Sequence, residues 1–154
     1  MLRRSVQMLA AAILLGIPQQ AFAALGGDAS SIDADRIRMQ GALLRISRTD
    51  AFTIHEVQSS TGTAIREYVS PSGTVFAVAW SGPWMPDMRQ LLGPYFERFQ
   101  RGAAAARRSR RGHGPLRIDD GEIVAQVSGH ARAFSGVATV PRLVPNGVRA
   151  DAIR

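Results

Sequence analysis

Across Gly82-Pro83 the hydrophobic period of this chain changes from two residues to between three and four, and that change restricts the fold more than any other feature. Upstream, Thr74 to Ser81 alternates Phe76, Val78 and Trp80 with Val75, Ala77 and Ala79. Both faces are apolar, which predicts a central strand covered on two sides, with Trp80 turned inward alongside Phe76 and Val78. Downstream, Met88, Leu91, Leu92, Tyr95, Phe96 and Phe99 recur at helical steps, and Asp87 is placed to cap them. Pro94 has no amide to give to Gln90, so the helix is expected to kink at Gly93-Pro94 or to divide into two short helices. The apolar stripe of such a helix needs a sheet to pack on.

The rest of the chain supplies that sheet. Ala42 to Ser47 is strand-like, and AFTIHEV sets Phe52 and Ile54 against Thr53, His55 and Val57. TAIREYV sets Ile65 and Val69 against Arg66 and Tyr68, and turns at Ser59 to Gly62 and Ser70 to Gly73 join these runs as an antiparallel meander. Leu116 to Asp119 and Glu122 to Ser128 read as a hairpin around Asp120-Gly121. His130 to Pro141 is a further strand, and a turn at Pro145-Asn146-Gly147 leads into a short tail. The expected architecture is α+β: a twisted antiparallel meander of about six strands with one central helix on one face. Residues 102–115, GAAAARRSRRGHGP, are expected as a flexible Arg-rich loop, because clustered arginines repel and the glycines offer no packing. Near the start, Ser31 or Asp33 could cap a short helix carrying Ile32, Arg36 and Met39; the alternative is a coil lying on the sheet.

Residues 1–23 read as a secretory signal. Arg3 and Arg4 precede a short apolar stretch, Met8 to Ile17, and Ala21-Phe22-Ala23 has the small-residue spacing of a cleavage site. The apolar stretch is about half of what a membrane span needs. Residues 24–154 are then expected as one domain in the periplasm or secreted, with no transmembrane span once the signal is removed. No cysteine is present, which removes both disulfides and a thiol-linked lipid anchor. The formal net charge is +7, two units of which belong to Arg3 and Arg4. Every basic residue is arginine, which suits anionic partners and is equally the product of a GC-rich genome.

Catalytic signatures are sparse. The three histidines, His55, His113 and His130, lie far apart and have no metal-ligand spacing, so no metal or other cofactor is expected. A nucleophilic set can be composed on paper from Ser135, His130 and Asp119, without the strand-to-helix serine turn that would support it. Asp119, Asp120 and Glu122 crowd a hairpin tip, where solvation rather than acid catalysis is expected. The clearest interaction candidate is the basic run containing Arg107, Arg108, Arg110 and Arg111, extended by Arg98, Arg101 and Arg117. Export disfavours nucleic acid and points instead to anionic glycan, lipid head groups or an acidic envelope protein. Trp84, in the connector after the central strand, either plugs the end of the core or lies exposed as a partner contact.

A signal peptide followed by ALGG, the element DRIRMQG (35–41), the segment REYVSPSGTVFAVAWSGPWMPDMRQLLG (66–93) and GHARAFSG (129–136) stand together in this chain. This combination resembles the proteobacterial family of exported proteins catalogued as domain of unknown function 2844, over essentially residues 24–154. The resemblance implies export and carries no assigned activity, cofactor or catalytic residue. The expectation is a small binding or scaffolding protein of the bacterial envelope. The alternatives are an enzyme or enzyme accessory of an envelope pathway, and a polyanion or membrane-surface binder acting through the Arg-rich segment.

Overall fold

The computed structural model describes residues 25–29, 41–109 and 114–154. The signal segment, the helix drawn through Ile32, Arg36 and Met39, and Arg110, Arg111 and His113 lie outside the described residues.

Seven strands form one antiparallel sheet: β1 (Ala42–Arg48), β2 (Thr53–Gln58), β3 (Ala64–Val69), β4 (Val75–Gly82), β5 (Leu116–Asp119), β6 (Val124–His130) and β7 (Ala133–Thr139). Their spatial order is β1-β2-β3-β4-β7-β6-β5. The expected single meander of about six strands is therefore two meanders. The first runs from β1 to β4. The chain then crosses by helix to the far edge and returns through β5 and β6 until β7 pairs with β4. Short turns build both halves; in the one between β5 and β6, the Asp120 carboxylate accepts the amides of Glu122 (3.1 Å) and Ile123 (3.0 Å).

Helix α1 (Met88–Leu92) begins at Asp87, whose carboxylate accepts the amides of Arg89 (2.9 Å) and Gln90 (3.1 Å). Of the two outcomes expected at Pro94, the division is found: a 3-10 turn spans Gly93–Tyr95 and α2 (Phe96–Ser109) follows. Gly93 adopts φ 48°, a conformation open to glycine that also relieves the crowding imposed by the following proline. The helices lie on one face of the sheet, where Leu91, Leu92 and Tyr95 join Ile65, Val78 and Trp80 in the larger hydrophobic cluster.

The Arg-rich segment departs from expectation. Residues Gly102 to Ser109 are the second half of α2, not a loop. Four successive alanines favour helix. Ala103 is buried, and Gly102 sits where a Cβ would overlap Ile118, so the helix closes onto β5. Arg107 and Arg108 occupy the last turn, where cations suit the carbonyl end of the helix, and their exposure weakens mutual repulsion.

A second correction concerns β4. Val69 faces Val75 while Tyr68 faces Ala77, so Phe76 is an extra residue in this strand. Phe76 consequently turns away from Val78 and Trp80 and joins Phe52 and Tyr68 on the other face. The three rings pack with centroids 5.8 to 6.2 Å apart. The C-terminal tail covers them: Ile153 is buried against this cluster, with Val144 and Val148 beside it. The Tyr68 hydroxyl donates to the Arg154 carbonyl (2.7 Å) and accepts from the Arg154 amide (3.0 Å), fastening the tail to β3.

Candidate functional site

The tail covers only part of its face, and the uncovered part is a groove of about 1180 Å³. Cross-strand register explains the hollow. Arg66, Ala79, Val137, Gln126 and Arg117 form one row across β3, β4, β7, β6 and β5. Ala64, Ser81, Ser135 and Ser128 form the next. Small side chains in the middle of both rows leave space above the sheet, and Val144, Val148 and Ile153 of the tail make one wall. The floor offers hydroxyls, one carboxamide and two guanidiniums. Arg66 and Arg117 stand four strand spacings apart, roughly 19 Å. Arg66 is already engaged, its Nε 3.3 Å from Glu56 and its NH1 donating to the Arg154 carbonyl at 3.0 Å. Arg117 is exposed, with Asp119 two residues along on the same strand. This arrangement offers hydrogen-bonding groups along an extended surface.

The structure does not assemble the set drawn from Ser135, His130 and Asp119. Asp119 aligns with Val124 and Thr139, four residues along β7 from Ser135 and two strands away, a separation of roughly 16 Å. His55 lies on β2, opposite Ile46 and Glu67 in register. Among the described residues no three His, Asp or Glu side chains converge as a metal site. The hairpin carboxylates are partnered: Asp120 with Arg98 at 3.1 Å and Glu122 with Arg142 at 3.6 Å. The Ile123 amide holds the Asp120 carboxyl below the usual range against an opposing cost of desolvation, with the Arg98 guanidinium and the Glu122 amide in support.

Trp84 and the arginines go to different places. Trp84 is 55% exposed, so it does not plug the core. Its backbone carbonyl accepts the Thr63 hydroxyl at 2.7 Å, which holds the connector against β3 while the indole stays in solvent beside exposed Met85. Trp84 does not line the groove. Arg107 and Arg108 are exposed at the end of α2 and make no ion pair with any described residue.

The groove residues Ser81, Gln126, Ser128 and Ser135 were not legible as a site. The available signal was the polar alternation of Gln126 and Ser128 in β6, which marks an uncovered face without saying which strands lie beside it. Glu67 was also missed: it is only 2% exposed, on the helix-bearing side of β3 with Ile65 and Val69. No helix among the described residues is long and apolar enough to cross a membrane. A family model described as Protein of unknown function (DUF2844) matches residues 21–153. No curated protein and no solved structure matches.

Proposed function

Given that this chain belongs to the DUF2844 family, whose function is unknown, we propose that it is an exported binding or scaffolding protein of the bacterial envelope. Its partner is received in the groove between the tail and strands β4, β7 and β6. The observation that carries this reading is the half-covered sheet face: a stable domain ordinarily finishes both faces of a central sheet, and here small polar residues hold one face open. Export with cleavage after Ala23 belongs to the same proposal, and a mature protein recovered from the periplasm with Ala24 at its start would support it.

The test places a photo-crosslinking side chain at Gln126 or Ser135 of the exported protein, with Ala104 on the outer surface of α2 as the control position. A discrete adduct formed from both groove positions and not from Ala104 is expected. Equal adducts from all three positions, or none from the groove, would overturn the reading.

A second reading, adhesion to a polyanion or anionic membrane surface, draws on the exposed Arg107 and Arg108 at the carbonyl end of α2, with Arg110 and Arg111 next in sequence. Binding of the Arg107→Ala/Arg108→Ala variant to anionic vesicles at low salt discriminates: undiminished binding removes this reading.

A further inference from the structure

The two edges of the sheet are finished differently. At one edge β5 is only four residues long, Leu116 and Ile118 are buried, α2 closes over it at Gly102, and its outward residues Arg117 and Asp119 carry both signs of charge. Those are the means by which sheets avoid pairing with other chains. At the other edge β1 is seven residues long, is interrupted by one bulge at Leu44 and is regular from Arg45 to Arg48, and it pairs only with β2 among the described residues. Leu43, Leu44 and Ile46 are 41%, 54% and 43% exposed there, half of the exposed large apolar side chains of the described residues. Its two charged residues, Arg45 and Arg48, are both exposed, both positive and without an ion pair among the described residues.

Charge identifies what fits. Arg45, Glu56 and Arg66 occupy one row across β1, β2 and β3, so the row reads positive, negative, positive toward the edge. Glu56 is held by Arg66 at 3.3 Å, which leaves the charge of Arg45 to be met from outside the sheet. A second copy of the chain added to β1 would bring four guanidiniums to one seam. An acidic residue there would continue the alternation instead. We propose that β1 is a strand-addition site for an extended segment of another protein, with acidic side chains opposite Arg45 and Arg48 and apolar side chains opposite Ile46 and Leu44. Backbone hydrogen bonds along the open edge supply attachment, and the two arginines with the intervening isoleucine set register and selectivity. This surface is separate from the groove and stands whether or not the groove is occupied.

The probe is a capped, fluorescein-labelled peptide, Thr-Glu-Thr-Val-Glu-Val-Thr, with a counterpart in which lysine replaces glutamate. The glutamate peptide should bind the full chain, weaken as salt is raised and slow amide exchange in β1; the lysine peptide should bind at least tenfold more weakly. Arg45→Glu/Arg48→Glu should reverse that preference with at most a small fall in the thermal midpoint, because both side chains are exposed although a glutamate at position 45 faces Glu56 across the strand pair. Equal binding of the two peptides, no binding at millimolar concentration, or a preference that survives the charge reversal would overturn the proposal. So would protection of β1 that depends on protein concentration without peptide, which would mark the edge as a contact between copies.

Discussion

The indole of Trp80 on β4 lies directly over Gly136, its cross-strand partner on β7, so closely that a Cβ on Gly136 would overlap the six-membered ring. The absence of a side chain at 136 is therefore what lets the largest side chain in the core lie flat beneath the helices.

Gly136→Val should force the indole off its seat and destabilise the domain by about 1–3 kcal/mol. Urea unfolding followed by tryptophan fluorescence would measure it, best in a Trp84→Phe background where the exposed tryptophan no longer contributes. In that background the native emission should be blue-shifted and slow to quench with acrylamide. An easily quenched signal would contradict the burial of Trp80.

Asp120→Ala removes the acceptor of two turn amides and the partner of Arg98. A loss of about 1 kcal/mol is expected at neutral pH. Because the folded state holds this carboxyl below its ordinary value, its contribution is complete above the unfolded carboxylate range and disappears as pH falls through the lower, folded value. The stability gap between wild type and variant should accordingly narrow in acid; a gap that widened would refute the assignment.

Tyr68→Phe keeps the packing with Phe52 and Phe76 but deletes both hydrogen bonds to Arg154. About 0.5–1.5 kcal/mol should be lost. The tail amides, Ile153 and Arg154 first, should exchange faster while those of β6 are unaffected.

Ala104→Gly separates a helix from a loop at the Arg-rich segment. Ala104 is exposed in the interior of α2, so the substitution should cost about 1 kcal/mol in a far-ultraviolet melting experiment. No change would be the behaviour of a loop.

The parts of the fold that sequence revealed are those fixed by local chemistry. The cap at Asp87, the interruption of the helix at Gly93-Pro94, the Asp120-Gly121 hairpin and the inward Trp80 each follow from a residue type at a position. What stayed hidden depends on contacts far along the chain. The segment after Gly102 reads as a loop until Ile118 is known to lie against it, and Phe76 reads as a partner of Trp80 until β3 reveals an extra residue opposite it. The groove was least legible of all, since its floor comes from five strands whose order, with β7 between β4 and β6, no local pattern encodes.

The bulge in β4 makes the length of this strand a stricter requirement than its composition. A substitution at Val75 or Phe76 alters how well one cluster is filled, whereas one residue more between Ala77 and Trp80 would shift the pairing by one and reverse the facing of everything on one side of the insertion. Trp80 would exchange sides with Ala79, and two cores would fail together. Among related chains, insertions and deletions are expected to collect in the turns at 59–62 and 70–73 and to be missing between Ala77 and Trp80, a pattern that an alignment can check residue by residue.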